Sequence, residues 1–168
     1  HSTLILLILG TAFAQRLALI PENETGIPLF IEGYVLDAET NEPIPNAELY
    51  LYQVNAEGEY QPSDPSDEST ARLNGIVITN AEGYFSFSTI YPGEYSNQPP
   101  GNRHIHLHYV RANGYQQRGG IILFEDNVRD EVRQWALETG FGIIIDLTET
   151  ATGYSGELAL GLHKTPAQ

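Results

Sequence analysis

Cysteine is absent from the 168 residues of this chain. Without a thiol group the chain cannot form a disulfide bond, cannot bind a metal through thiolate ligands and cannot use a cysteine nucleophile. Three common classes of structural and catalytic site are thereby excluded.

Positive charge is also scarce. The chain has eight lysine and arginine residues against 22 aspartate and glutamate residues, which gives a formal net charge of −14 at pH 7. A surface this acidic repels phosphate backbones and anionic membranes. We therefore expect no nucleic acid partner. Charged residues make up 18% of the chain and hydrophobic residues 41%, a balance that is typical of a globular domain.

Long hydrophobic runs are limited to one short segment. Leu4–Leu9 is an unbroken apolar run, well short of the about 20 apolar residues that a membrane-spanning helix needs, so we expect no membrane span. Ala12-Phe13-Ala14 follows with the small-x-small pattern that precedes a signal-peptide cleavage site. The segment therefore predicts a secreted, extracellular protein.

The same segment has a second interpretation. Burial of one leucine or isoleucine side chain contributes about 1.5–3 kcal/mol, so a retained apolar run would need a partner surface. Residues 1–14 would then form an arm that adds a strand to a neighbouring subunit, and head-to-tail repetition of that contact builds a filament. We divide the chain into an apolar segment at 1–15 (signal peptide or retained assembly arm), a linker at 16–26 and a folded domain at 27–165.

The folded domain alternates short apolar segments with turn residues. Turn sequences such as Thr40-Asn41-Glu42-Pro43 and Asn80-Ala81-Glu82-Gly83 separate these segments. One short amphipathic helix is predicted near residues 128–138. The pattern predicts an all-β fold, a β-sandwich of mainly antiparallel strands with one short helix. Strands are predicted at residues 30–37, 47–52, 76–79, 84–88, 104–110, 119–124 and 156–162.

Three histidines alternate in the segment HIHLHY, at His104, His106 and His108. Successive side chains of a strand point to opposite faces of the sheet, so the three imidazoles would share one face. Imidazole is a common metal ligand, and the segment is therefore a candidate metal site. For His108, three interpretations stay open: an exposed polar residue, a base beside the site, or a ligand for another ion such as zinc.

The order of several segments resembles that of the intradiol ring-cleavage dioxygenases. The resemblance covers roughly residues 32–127, and implies that the domain at 27–165 is an intradiol dioxygenase-like β-sandwich. It rests on six segments: 33–37 (GYVLD), 43–49 (PIPNAEL), 55–60 (NAEGEY), 78–85 (ITNAEGYF), 89–95 (TIYPGEY) and 104–106 (HIH).

The resemblance implies a non-haem ferric ion held by two tyrosines and two histidines. The matching positions are Tyr60, Tyr95, His104 and His106. Phenolate is a hard anionic donor that suits a trivalent ion, and imidazole also suits iron. In the family, an aromatic diol of the catechol type chelates the iron and displaces one tyrosinate before oxygen attacks the ring. Tyr60 matches that departing ligand and is therefore also a candidate catalytic residue.

Two positions depart from the family pattern. The family usually has Arg-x-x-His-x-His, and the arginine helps to stabilise the bound substrate. Here Arg103 directly precedes His104; it is the candidate for that catalytic role, although we expect its side chain on the opposite side of the strand. Ile121 stands where the family commonly has a glutamine near the oxygen site. Loss of groups that surround intact ligands lowers activity.

Three functions stay open on the sequence, because a fold by itself does not imply catalysis. The first is a secreted enzyme that cleaves catechol-type rings with Fe(III) and dioxygen. The second is a structural protomer of an extracellular filament or assembly that self-associates through residues 1–14. The third is a binding module that keeps the pocket or a metal, either Fe(III) or instead a divalent ion, without turnover. The acidic loop with Asp64, Asp67 and Glu68 is either solvated or a calcium site.

Overall fold

The computed structural model describes residues 17–167 of the chain. The apolar run, the cleavage pattern and the arm predicted for residues 1–14 lie outside the described residues. Part of the predicted linker is described, and there the structure shows a short strand at Leu17–Ala18 followed by Leu19, which is buried in the core. The chain therefore packs onto the domain earlier than the predicted boundary at residue 27.

Short strands and one α-helix make up the regular structure of residues 17–167, together with one turn of 3₁₀-helix at Glu68–Thr70. The helix, α1, spans Asp130–Thr139. The strands are β1 (Leu17–Ala18), β2 (Pro28–Asp37), β3 (Glu48–Gln53), β4 (Leu73–Ile78), β5 (Tyr84–Ile90), β6 (His104–Arg111), β7 (Arg118–Phe124), β8 (Gly142–Ile145), β9 (Leu147–Glu149) and β10 (Tyr154–Leu162).

The strands form two five-stranded sheets. The first has the strand order β1-β5-β2-β10-β9 and the second the order β4-β3-β6-β7-β8. Within the described part of the chain, five strand pairs are antiparallel and three are parallel. The prediction of an all-β sandwich with mainly antiparallel strands and one short helix is confirmed.

The two sheets enclose one apolar core. Phe85 and Phe87 of β5 point inward from the first sheet, and Leu49 of β3 points inward from the second. In β6, Ile105 and Leu107 belong to this core. Because side chains alternate along a strand, the alternate positions of β6 are left on the outer face of the second sheet.

Helix α1 packs on that outer face. A second, smaller apolar cluster lies beneath it and includes Ile121 and Leu123 of β7 together with Ala136 of the helix. The helix ends at Gly140, whose φ of 67° is the left-handed conformation that glycine adopts without strain. Among residues 17–167, no helix has both the length and the apolar composition needed to cross a membrane.

Three strands, β1, β8 and β9, were not predicted from the sequence. β8 pairs in parallel with β7 after the crossover through α1, the type of connection that parallel strands require. A second parallel pair joins β2 to β10, where the backbones approach so closely that a Cβ on Gly33 would lie 1.7 Å from the carbonyl oxygen of Leu158. Both pairings unite segments that are distant in the chain, so no local pattern reveals them.

Candidate metal centre

Strand β6 presents two imidazoles on the outer face of its sheet. His104 and His106 alternate with the core residues Ile105 and Leu107, as the spacing predicts. His104 is 7% exposed, so it is largely shielded from water. Packing of the apolar residues on the inner face therefore holds both imidazoles at fixed positions on the outer face.

Two loops bring tyrosines over these histidines, one at residues 54–72 and one at residues 91–103. The loops are in direct backbone contact: the amide of Gly93 donates to the carbonyl oxygen of Asn55 at 2.9 Å. A Cβ on Gly58 would lie 2.0 Å from the carbonyl oxygen of Glu94. The absence of a side chain at Gly58 thus lets the loops approach, and Tyr60 and Tyr95 reach the same point above the sheet.

Four donor atoms converge at this point. The Tyr60 hydroxyl is hydrogen-bonded to Nε2 of His106 at 2.7 Å and also to the Tyr95 hydroxyl. The Tyr95 hydroxyl lies 3.0 Å from Nε2 of His104, and the two Nε2 atoms are 3.1 Å apart. All four residues that the sequence singled out as ligands are therefore brought together. We call Tyr60, Tyr95, His104 and His106 the four-donor cluster.

The geometry of the four-donor cluster fits a metal ion. Donor atoms that lie about 2 Å from one shared cation are about 3 Å from each other. Nδ1 of His104 donates to the carbonyl oxygen of Asn102 at 2.7 Å, which leaves the lone pair of Nε2 facing the other donors. No group of three histidine or carboxylate side chains that could hold a metal is found within residues 17–167, so the two phenol oxygens are needed to complete the site.

Burial determines the protonation of the four-donor cluster. Loss of water lowers the pKa of His106 to about 3, helped by the neighbouring imidazoles, and also lowers the pKa of His104. Both rings are thus neutral, which is the form that binds metals. Burial raises the pKa of the phenols of Tyr60 and Tyr95. Both phenols stay protonated until a cation offsets the charge of the phenolate.

Tyr52 also belongs to the site, although no motif in the sequence points to it. Its ring stacks on the imidazole of His106, with ring centroids 4.3 Å apart and an angle of 4° between the planes. Residues 52 and 106 are direct partners in the β3–β6 pairing. Burial raises the pKa of Tyr52 to about 12, so its phenol stays neutral. The sequence does show tyrosines at alternate positions of β3, Tyr50 and Tyr52, which places both rings on one face of the sheet. It does not show which residue of β6 lies beside each ring, because the register between two strands is not encoded in the local sequence.

Two clefts open beside the four-donor cluster and share Tyr95 as a common wall. One cleft, of about 430 Å³, includes Tyr60 and Glu68. The other, of about 470 Å³, extends from the histidines to α1. Larger depressions of about 710 and 580 Å³ lie elsewhere on the domain, with none of the four donors in their walls. The larger of the two clefts beside the donors is lined by Tyr95, Asn102, His104, His106, Ile121, Arg129, Glu131, Val132, Trp135 and Phe141.

Arg103, the candidate for the catalytic arginine, is engaged outside the four-donor cluster. Its guanidinium donates to the carbonyl oxygen of Pro92 at 2.8 Å and forms an ion pair with Glu94 at 3.2 Å. It also lies over the ring of Tyr91, 5.0 Å from the centroid. Ile121, by contrast, does line the cleft beside the histidines, and contributes an apolar wall at that position.

Two further candidates from the sequence lie apart from the four donors. His108 is exposed and makes an edge-to-face contact with Tyr50, with centroids 5.2 Å apart. The strand irregularity between Leu107 and Val110 lies at this position. In the acidic loop, Oδ1 of Asp64 and Oδ1 of Asp67 each accept hydrogen bonds from a nearby serine. These carboxylates therefore stabilise the turns of the loop.

The chain resembles known proteins in both sequence and structure. The family model described as "Dioxygenase" matches residues 8–124. Catechol 1,2-dioxygenase 1 of Acinetobacter lwoffii is 25% identical over 162 residues, which are 88% of this chain and 50% of that protein. The protocatechuate 3,4-dioxygenase beta chain of Burkholderia cepacia is 34% identical over 100 residues, which are 54% of this chain and 40% of that protein. The chain thus spans half the length, or less, of these curated relatives.

Solved structures show the same fold. The dioxygenase domain of a dioxygenase and carbohydrate-binding protein fusion from Streptomyces sp. SirexAA-E has a TM-score of 0.70 at 24% identity, covering 89% of this chain and 88% of that one. An intradiol ring-cleavage dioxygenase from Tetranychus urticae has a TM-score of 0.63 at 23% identity, covering 88% and 86%. At this level of identity the likeness shows a shared sandwich.

Proposed function

This chain belongs to the intradiol ring-cleavage dioxygenase family, and on that premise we propose that it binds ferric iron in the four-donor cluster and cleaves catechol-type rings with dioxygen. The observation that carries the proposal is the convergence of two phenol oxygens and two imidazole nitrogens at one point. The likeness of the chain to a catechol 1,2-dioxygenase supports the proposed substrate class.

Ferric iron, when bound, would act as a Lewis acid that withdraws electron density from an aromatic diol. The chain's own residues prepare the site for this chemistry. The carbonyl oxygen of Asn102 holds His104 in the tautomer that offers Nε2, and the ring of Tyr52 holds the plane of His106. The positions of both imidazoles are thus defined before any ligand enters.

Tyr60 is the proposed acceptor of a proton from an incoming diol. Its oxygen is the atom that contacts both Tyr95 and His106. Burial raises the pKa of its phenol strongly, so a Tyr60 that leaves the cluster becomes the neutral phenol. The cleft of about 430 Å³ gives its side chain a free space beside Tyr95. We therefore assign the proton to the hydroxyl oxygen of Tyr60.

The cleft of about 470 Å³ is the proposed entry for the ring, because it reaches both histidines and Tyr95. Arg103 is held by Pro92 and Glu94 and does not supply a positive charge to this cleft. Ile121 offers no hydrogen bond there. We therefore expect slow turnover, since charge that develops during the reaction has fewer polar partners.

Reconstitution with iron tests the proposal. We expect the purified full chain to bind one ferric ion and to show a visible absorption band from charge transfer between tyrosinate and iron. Addition of catechol under air should shift the band, consume dioxygen and cleave the aromatic ring of the catechol. His108→Ala is the matched control and should keep the band, because His108 lies outside the four donors. A chain that stays colourless and free of iron after reconstitution would contradict the proposal.

A further inference from the structure

Helix α1 and the residues after it place two aromatic rings at the mouth of the larger cleft. The rings of Trp135 and Phe141 meet edge to face, with centroids 6.0 Å apart and an angle of 68° between them. Trp135 is 40% exposed and Phe141 is 43% exposed. Both rings line the same cleft as His104 and His106. An exposed aromatic pair that continues a candidate active site needs an explanation beyond packing.

The wall that joins this pair to the donors is apolar. Val132 of α1 and Ile121 of β7 line the cleft between the aromatic pair and the histidines. We call Val132, Trp135 and Phe141 the aromatic shelf. The cleft volume of about 470 Å³ exceeds what one six-membered ring fills, and lies in the range of clefts that hold larger organic ligands. A simple diol bound at the four-donor cluster would leave the part of the cleft beside the aromatic shelf unfilled.

The charges near the aromatic shelf disfavour an anionic substituent. Arg129 lines the cleft, but its guanidinium donates to the carbonyl oxygen of Pro99 at 2.8 Å and lies 3.8 Å from a carboxylate oxygen of Glu131. Glu131 itself is in the wall, and the whole chain carries a net charge of −14. A carboxylate on the substrate would find the guanidinium of Arg129 already paired and would be repelled by the acidic surface.

We propose that the aromatic shelf binds a neutral aryl substituent, so that this chain selects extended aromatic diols, in which a catechol carries a second ring, over catechol itself. The inference rests on the proposed function, because the diol end of such a substrate would lie at the four-donor cluster. The second ring would pack against Trp135 and Phe141, where offset and edge-to-face contacts between rings are favourable. Carboxylated diols bind less well than neutral aryl diols.

Trp135 provides a direct measurement, because it is the only tryptophan of the chain. The full iron-loaded chain is titrated with 4-phenylcatechol, with catechol and with a carboxylated catechol while the tryptophan fluorescence is recorded. We expect 4-phenylcatechol to quench the fluorescence and to bind about tenfold more tightly than catechol. Equal affinities for catechol and 4-phenylcatechol would overturn the proposal.

Variants on the same surface sharpen this test. Phe141→Ala keeps Trp135 as the fluorescent reporter and should weaken the binding of 4-phenylcatechol about five- to tenfold, a larger factor than for catechol. Leu137→Ala is the matched control, because Leu137 is on α1 and 75% exposed but does not line the cleft. Trp135→Ala, followed through kcat/KM, should lower the preference for 4-phenylcatechol over catechol by a similar factor. An equal response to Phe141→Ala and Leu137→Ala would contradict the inference.

The metal-free chain separates this inference from the proposed function. A dimethoxybiphenyl cannot chelate iron, and its quenching of Trp135 in the metal-free chain supports the aromatic shelf whether or not iron binds. An iron-loaded, coloured chain without quenching by any aryl ligand overturns the inference while the proposed function stands. The alternative occupant of the aromatic shelf is a second copy of the chain, and light scattering tests for it. A dimer that dissociates in Trp135→Ala, together with no quenching by aryl ligands, would overturn the inference and assign the shelf to a dimer contact.

Discussion

Single residues around the four donors determine how the imidazoles are presented. One hydrogen bond to the carbonyl oxygen of Asn102 sets the tautomer of His104, and one ring stack with Tyr52 sets the plane of His106. Groups that orient metal ligands are often as important for affinity as the ligands themselves. The two histidines are therefore oriented by different means, one polar and one aromatic.

Tyr52→Ala tests the aromatic contact. Removal of the ring frees the imidazole of His106 to rotate, and we expect the affinity for iron to fall about 10- to 100-fold. Tyr52→Phe keeps the ring and should keep the affinity, since no hydrogen bond of the Tyr52 hydroxyl to the four donors is observed among the described residues. Iron affinity is measured by competition with a chelator, through the visible band.

Tyr50→Ala is the matched control for this change. Tyr50 lies on the same strand, two residues away, and packs against His108 instead of His106. Tyr50 does not contact the four donors, but its hydroxyl donates to the carbonyl oxygen of Ser69 in the loop at residues 54–72. The loss of Tyr50 should therefore lower iron affinity less than the loss of Tyr52. Equal losses for Tyr50→Ala and Tyr52→Ala would show that β3 supports the site by general packing alone.

Among the elements, the two loops at residues 54–72 and 91–103 decide whether the tyrosines meet. They touch through their backbones at Gly58 and Gly93, where an added Cβ would lie 2.0 Å and 2.4 Å from carbonyl oxygens. Such contacts leave no room for a side chain. The placement of Tyr60 and Tyr95 thus depends on the mutual fit of two loops that are far apart in the sequence.

Gly58→Ala tests this fit. Gly58 has a φ of 82°, which costs an alanine about 1–2 kcal/mol, and the clash with Glu94 adds to that cost. We expect lower stability in urea unfolding together with a weakened visible band, because the loops must separate. Gly114→Ala is a close control: Gly114 also has a φ of 82° but has no atom within 4 Å of the added Cβ. If both variants lose equal stability and keep the band, the loop contact is not what positions the tyrosines.

For the whole molecule, the core and the candidate site lie on opposite faces of one sheet. The core fills the space between the sheets, and the four donors lie on the outer face of the second sheet. We expect His104→Ala combined with His106→Ala to abolish iron binding and to leave a folded sandwich with cooperative thermal unfolding. Metal analysis and circular dichroism measure both properties. Collapse of the fold would show instead that the histidines serve packing or that the metal is structural.

The chain as a whole covers half the length, or less, of the two curated relatives described above, and its substrates and partners are proposals. Secretion, the signal peptide and the assembly arm at residues 1–14 stay predictions, since that segment lies outside the described residues. Strand addition by the arm and catalysis by the domain would involve different parts of the chain.

Local sequence was sufficient for much of the fold and for half of the cluster. Alternation along β6 placed His104 and His106 on one face, because strand geometry repeats every two residues. Turn residues and short apolar segments predicted most strands of the sandwich. Tyr60 and Tyr95 were assigned through the resemblance of their segments to the family.

Tertiary structure alone decided the rest. Strand periodicity specifies the face of a residue but leaves the register with its partner open, so the stack of Tyr52 on His106 could not be foreseen. The parallel pairing of β7 with β8 and the position of Trp135 and Phe141 beside the histidines likewise depend on how distant segments pack. A sequence pattern describes neighbours along the chain, whereas a binding site is made of neighbours in space.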